Sequence, residues 1–454
     1  MRTEARIGLT LLAMAASLGI APSAGGAMDG ARVFARVPDP GSVALTTVGR
    51  DGMVYGGSYF PLAGNGGDGV KSRLFKWSAT GTLLKSWEVE GQDLSADHGI
   101  QAATIDAAGM VYLLDTAPAR VLRFDPVSGS QSTYATVPRL PTCAAAGPGQ
   151  ACKDALLDSA PELDYAAWGP DGSLYLTDAG QASIFRVPPE GGHAQLWLTD
   201  PHLDGGLFGP TGLALAPDHR HLLVSVVASR TALDPAAGSL VEVPIQPDGS
   251  AGAIRTIWTS GPLEAPDGFA IARSGNVYMA LLGPLTNQLV ELSPTGQELQ
   301  RYPSVAQNAA LEVPFDAPSS AVFDGTRLLV TNNSFYANDR SHQVIFSVDT
   351  GEVGMESIVP PARVVEARLV VQVSPRSIVA RRLAIVRISV RLLREDHRRL
   401  PPRSTRIQVG GRRYRLTASG VRRVRLRVRQ PGTIRVVATA PGVKSASARL
   451  QVRP

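Results

Sequence analysis

One unit of sequence occurs six times in the first 360 residues, and that recurrence limits the possible folds more than any other property of the chain. Each copy is an apolar run, a tight turn and a second run rich in β-branched or aromatic residues. The copies are VALTTVGRDGMVY at 43–55, IQAATIDAAGMVY at 100–112, LDYAAWGPDGSLY at 163–175, PTGLALAPDHRHLL at 210–223, PDGFAIARSGNVY at 266–278 and PSSAVFDGTRLL at 318–329. Their turn residues Gly52, Gly109, Gly172, His219, Gly275 and Gly325 succeed one another at intervals of 47 to 63 residues. Gly between apolar runs marks a hairpin because it accepts positive φ at no steric cost. A further strand pair comes after each hairpin, as in RVLRF at 120–124, SIFRV at 183–187 and QLVEL at 288–292. Four strands in about 55 residues, repeated, describe the blades of a β-propeller. Six blades closing a ring leave no long sheet edge exposed. The expected fold is therefore all-β, with a six-bladed β-propeller over 30–359.

Charge sets the C-terminal region apart. From residue 361 onward 24 Lys or Arg stand against 3 acidic residues, whereas the preceding 360 residues carry 21 against 36. A composition break this sharp predicts a domain boundary, and Pro360-Pro361 at the break would form a stiff linker. Beyond it, IVRISVRLL at 385–393 and VRRVRLRV at 421–428 alternate apolar and Arg residues. Alternation gives a sheet one buried and one solvated face. Roughly seven short strands over 360–454 predict a small, Arg-rich, immunoglobulin-like β-sandwich.

The N-terminus reads as an export signal over 1–27. Arg2 and Arg6 precede an apolar stretch at 7–20, and small residues at 24–27 offer a cleavage site. That stretch is too short to span a bilayer, so the expected protein is secreted or extracytoplasmic with no transmembrane segment. Only two cysteines are present, Cys143 and Cys152. In an exported chain a close pair predicts a disulfide.

The repeat also selects candidate site residues. In a propeller the first strand of each blade lines the central channel. Counting back eight from the turn gives Ala44, Gln101, Asp164, Thr211 and Asp267, and Ser319 is the equivalent in the shorter sixth copy. Converging hard oxygen donors predict a divalent cation, Ca²⁺ ahead of Mg²⁺ or Mn²⁺. Asp164, Asp267, Gln101 and Thr211 are the candidate ligands. Second strands ending in Asp115, Asp178 and Asn332 would rim the same mouth, with Ser319 beside them. Asp115 and Asp178 equally suit hydrogen bonds to loop backbone between blades, and Thr211 and Ser319 suit structural roles. His98, three residues before Gln101, is the candidate for proton transfer, together with Asp267.

These residues carry a resemblance. PDGFAIARSGNVYMA at 266–280, the stretch 164–188, GPTGLALAP at 209–217 and FDAPSSAVFDGTRLLVTNN at 315–333 are similar to the gluconolactonase and senescence-marker-protein (regucalcin-like) family. The likeness covers most of 40–357. It implies a six-bladed propeller with one divalent cation at the channel mouth, held by a Glu, two Asn and an Asp. The family's Asp falls on Asp267, one Asn position on Asp164, the other on Thr211, and the Glu position near Ala44, which cannot bind metal. It also implies hydrolysis of lactones or related esters, with the metal polarising the carbonyl and a carboxylate or His handling the proton.

Two functions stay open on the sequence. One is a Ca²⁺-dependent lactone or ester hydrolase. The other is a non-catalytic extracellular propeller that binds carbohydrate or protein. The expected partners are a small-molecule lactone or ester and, through the basic unit, anionic cell-envelope polymers. Nucleic acid is not expected, because Tyr414 is the one aromatic residue of the basic unit. The chain is expected to be a monomer.

Overall fold

The computed structural model describes residues 28–39, 41–59, 69–206, 208–229, 231, 234, 236–360, 368–394, 397–399, 404–417, 419–440 and 443–454. The expected export signal at 1–27 lies outside them, as does Pro361. The chain divides into two compact units, Met1–Pro360 and Pro361–Pro454.

The first unit is an all-β propeller. Sheet 1 is built from Ser42–Val48, Val54–Tyr59, Arg73–Trp77 and Leu83–Glu88. Sheet 2 holds Ile100–Ile105, Val111–Thr116, Ala119–Phe124 and Gln131–Thr136, extended by the two residues Gly192–His193. Sheet 3 holds Leu163–Trp168, Leu174–Asp178, Ser183–Val187 and Gln195–Thr199. Sheet 4 holds Pro210–Leu215, His221–Val226, Ala237–Pro244 and Arg255–Pro262, and sheet 5 holds Pro266–Ile271, Val277–Leu281, Gln288–Leu292 and Glu298–Tyr302. Sheet 6 holds Pro318–Asp324, Arg327–Asn332 and Val344–Asp349, and its outermost strand is Asp29–Arg36 from the N-terminal end of the described chain. That strand runs antiparallel to Val344–Asp349, so the first and last strands of the ring among the described residues share one sheet. The first strand of each sheet touches the first strands of both neighbours, and the circuit closes between sheets 6 and 1.

The turns explain the repeat. Gly49, Asp106, Gly169, Ala216 and Ala272 each exchange the same pair of main-chain hydrogen bonds across the hairpin. The residue two before the return strand has positive φ in every copy, and it is Gly in five. His219 is the exception, at φ 59°. A Cβ is unfavourable there, and the exposed position of His219 keeps the cost local.

Alternation then packs the sheets face to face. Tyr112, Leu114, Val121, Trp168, Leu176 and Phe185 bury one seam between sheets 2 and 3. Tyr165, Ile184, Leu213, Leu222, Val224 and Val241 bury the next. Cys143 and Cys152 are joined in a disulfide between sheets 2 and 3. Cys143 N–H donates to Lys153 O beside it. Closing so short a loop restricts the unfolded chain by about 2–3 kcal/mol in the chain-entropy account. Among the described residues no helix is long and apolar enough to cross a membrane.

After sheet 6 the segment 353–360 runs beneath the ring. Met355 N–H donates to Ile271 O of sheet 5, and Ala107 N–H of sheet 2, on the opposite side, donates to Pro360 O. Between these points Ile358 packs against the seams on either side of sheet 3. The strap and the lower ends of all six first strands line a solvent-open cavity of about 630 Å³.

The second unit has nine strands among its described residues, where the sequence predicted about seven. One group joins Arg368–Ser374, Leu383–Arg394, His397–Arg399 and Val421–Arg427. The other joins Ser377–Val379, Arg406–Val409, Arg412–Arg415, Gly432–Ala440 and Val443–Arg453. A single parallel pairing, Arg368 with Lys444, links them. Val386, Ile388, Val390 and Val424 of the first group share one core with Ile407, Val436 and Leu450 of the second. The alternating residues Arg387, Arg423 and Arg425 face outward.

Candidate functional site

The ring positions stand near the start of each first strand, the end away from the hairpin turns. Their strands are not regular there. The ladder slips between Val43 and Thr46, Leu163 and Ala166, Pro210 and Leu213, Pro266 and Phe269, and Pro318 and Ser320. Ala44, Asp164, Thr211, Asp267 and Ser319 all fall inside these slips. In sheet 2 the slip comes later, between Ala102 and Thr104. A bulge turns a side chain out of the pleat, and here it re-aims the ring residues. Hydroxyls on second strands fix the bulged backbone of the next sheet. Thr177 Oγ1 donates to Thr211 O at 2.6 Å, Ser225 Oγ to Asp267 O at 2.6 Å and Thr331 Oγ1 to Ala44 O at 2.8 Å. Ser225→Ala would leave the Asp267 carbonyl buried without its donor. A loss of about 1–3 kcal/mol is expected, read as a lower urea midpoint with unchanged slope; an unchanged midpoint would mean that the clamp is idle.

Two pairs of ring residues meet. Gln101 Nε2 donates to Asp164 Oδ1. The Thr211 hydroxyl hydrogen-bonds Asp267 and also lies 3.2 Å from Ser225 Oγ. Burial first, and then the charge of Asp164, push Asp267 well above the usual carboxylate range, partly offset by the Thr211 hydroxyl and Gly268 N–H. Burial likewise pushes Asp164 up to about 7, against the Gln101 hydrogen bond and with the charges of Glu162 and Asp178 adding to it. The charge of one acid so placed disfavours ionisation of the other. Asp267 Oδ1 and Gln101 Oε1 are buried with no hydrogen-bond partner among the described residues.

A second pair borders the first. Tyr59 Oη donates to Glu162 Oε1 at 2.7 Å. Burial raises Glu162, with Tyr59 opposing. Burial also raises Tyr59 well above its ordinary value, aided by the charges of Glu162, Asp164 and Asp267. Neither residue stood out in the sequence. Glu162 lies two residues before Asp164, and in an extended chain that spacing returns a side chain to the same face. Beneath the carboxylates Tyr165 spans the axis from sheet 3 to sheet 6, where its hydroxyl donates to Ser319 O at 3.2 Å. A Cβ on Gly268 would overlap that hydroxyl, so sheet 5 needs a glycine there.

The remaining candidates sit elsewhere. Asp115 is fully buried and held by Gln92 Nε2 and the Arg120 guanidinium. Asp178 is fully buried too, and accepts from Glu162 N–H, Gln181 N–H and Gln181 Nε2. Asn332 caps Asp316 N–H and donates to Pro314 O and His342 O. Ser319 Oγ donates to Ala44 O. All four belong to the scaffold of the mouth and not to its open surface, because their polar atoms are consumed by loop backbone and neighbouring side chains. His98 is buried, with Nδ1 2.9 Å from Ala96 O and Nε2 2.6 Å from Val70 O. Both ring nitrogens face main-chain carbonyls, a placement that suits holding a loop and not moving a substrate proton. Among the described residues no three His, Cys, Asp or Glu side chains gather closely enough to hold a metal by themselves.

No protein-family model matches the sequence, and no curated protein matches it. Solved structures similar to this chain include the calcium-binding protein regucalcin from Agrobacterium tumefaciens, at 15% identity and TM-score 0.48 over 73% of this chain and 99% of that one. A luciferin-regenerating enzyme aligns at 14% identity and TM-score 0.46, over 73% and 100%. The PQQ-bound aldose sugar dehydrogenase of Streptomyces coelicolor aligns at 17% identity and TM-score 0.49, over 73% and 100%.

Proposed function

We propose that this chain is an extracytoplasmic, divalent-cation-dependent hydrolase of lactones or related esters. On this reading the six sheets are six propeller blades, and the basic unit is an immunoglobulin-like domain. One observation carries the reading: a half-buried and a buried carboxylate, Asp164 and Asp267, are each raised by desolvation, and Asp267 Oδ1 and Gln101 Oε1 are left without a hydrogen-bond partner among the described residues. Asp164, Asp267 and Gln101 Oε1 offer the hard donors that suit Ca²⁺ or Mg²⁺, with Thr211 adjacent. A cation there would offset the desolvation of both carboxylates and their mutual repulsion. When bound it supplies Lewis acidity to a carbonyl oxygen. Glu162, held by Tyr59 and raised by burial, is placed to take up and return a proton beside the pair. The disulfide and the N-terminal apolar stretch support an address outside the cytoplasm.

Ala44 favours the second reading, a binding propeller, because it presents a methyl where sheets 2 to 6 present oxygen-bearing side chains. Titration calorimetry of chelator-stripped protein, then a panel of sugar lactones and aryl esters, separates the two. Binding of one equivalent of Ca²⁺ or Mg²⁺ with cation-dependent hydrolysis is expected. Cation binding without hydrolysis would leave a binding propeller, and no binding at millimolar cation would retire the metal site.

A further inference from the structure

The second unit carries a surface that the proposed chemistry does not use. Arg376, Arg387, Arg391 and Arg449 line a groove of about 820 Å³, together with the uncharged polar residues Gln372, Ser374 and Ser389. All four arginines are exposed. The described residues of this unit contain no Asp or Glu, since its three acidic residues, Glu366, Glu395 and Asp396, lie outside them. The positive charge continues past the groove. Arg423 stands directly opposite Arg387 on the paired strand, and Arg425 and Arg427 come next at alternate positions. Like charges directly opposite on paired strands repel, so the free protein holds this arrangement at a cost. An anion between the strands reverses the sign of that interaction.

We propose that this groove and its flanking arginine row bind the phosphodiester backbone of a linear polyol- or sugar-phosphate polymer of a cell surface. Three features select that ligand. First, the unit uses 23 Arg and one Lys. The guanidinium fork takes two oxygens of one tetrahedral or planar anion, which an ammonium does not. Second, Arg423, Arg425 and Arg427 repeat every second residue, about 6.8 Å apart along an extended strand. That presents a row of equal sites to a chain bearing one anion per repeat. Third, Ser374, Ser389 and Gln372 place neutral hydrogen-bonding groups between the charges, which suits hydroxyls of a polyol. Nucleobases find no platform: Tyr414, the unit's one aromatic residue, lies under the Arg422 guanidinium, 6.0 Å from ring centre to charge.

The test uses the full chain and synthetic poly(glycerol phosphate), with polygalacturonate and duplex DNA of matched total charge as competing arms. Arg387→Gln/Arg391→Gln/Arg423→Gln is compared with Arg406→Gln/Arg413→Gln/Arg435→Gln, which removes the same charge from the other group of strands. The first triple variant is expected to bind poly(glycerol phosphate) at least tenfold more weakly and to lower the log–log salt slope by about 2–3, one phosphate contact per arginine. The second is expected to stay within twofold of the parent. A third variant, Arg387→Lys/Arg391→Lys/Arg423→Lys, keeps the charge and the strand surface; a several-fold loss there reads the fork itself, even if the glutamine variant misfolds. Equal losses in both glutamine variants would reduce the surface to net charge and overturn the proposal. Tighter binding of DNA or of polygalacturonate would overturn it as well.

Discussion

Asp267→Asn is expected to weaken cation binding roughly 100-fold or more, since even loss of a group behind a metal ligand costs 10–100-fold. Lactone hydrolysis should fall in parallel, chiefly in kcat. The substitution keeps the shape of the side chain, and the Ser225 clamp on the Asp267 carbonyl is main-chain and survives it. What disappears is the negative charge that burial and Asp164 both oppose. Without added cation, the melting temperature of the variant at pH 8 should therefore match or exceed that of the parent. Loss of binding with stability retained separates a ligand from a structural acid. Unchanged cation affinity in the variant would remove Asp267 from the site.

Chelator-stripped protein is expected to melt several degrees higher at pH 5 than at pH 8, and saturating cation should close most of that gap. In the unfolded chain these carboxyls titrate near pH 4. In the fold Asp164 is raised to about 7 and Asp178 to about 6, with Asp267 and Glu162 also raised, each mainly by burial. The folded state thus holds protons that the unfolded state has already released. Stability is full below pH 4 and falls as pH rises through the folded values, by an amount of order 2 kcal/mol given that Asp164 is partly open to solvent. Carboxylates lowered by hydrogen bonds or ion pairs, such as Asp158 and Glu298, act in the opposite direction but below pH 4 to 5, outside this window. Asp164→Asn should flatten the profile. A flat profile in the stripped parent would show that Asp164 and Asp267 do not oppose each other's ionisation.

The hairpin repeat was legible because each turn needs positive φ, and five of six copies answer with Gly. Counting from those turns led to Gln101, Asp164, Thr211 and Asp267, whose pairwise hydrogen bonds the structure then displays. Counting could not reveal the bulges. A bulge is one unpaired residue with no composition of its own, and it shifts the register in which Asp267 sits. Nor could strand periodicity separate Asp178 from Asp164. Both sit at the same end of sheet 3, but the loop around Gln181 uses both oxygens of the former. His98 misled for the same reason, since loop carbonyls at Ala96 and Val70 are invisible to a one-dimensional pattern. Tyr59 and Tyr165 read as ordinary core aromatics, and their hydroxyls gain meaning from sheets far away in sequence.

Tyr165 across the axis and the strap at 353–360 below it obstruct the ring's axis beneath the carboxylates. Whatever enters at the carboxylate end must leave by the same door. Product and substrate then compete for one passage, so inhibition by product should be competitive with substrate at every cation concentration. A polymer cannot thread such a passage. On the proposed reading its substrates would be small rings, chain ends and short side groups.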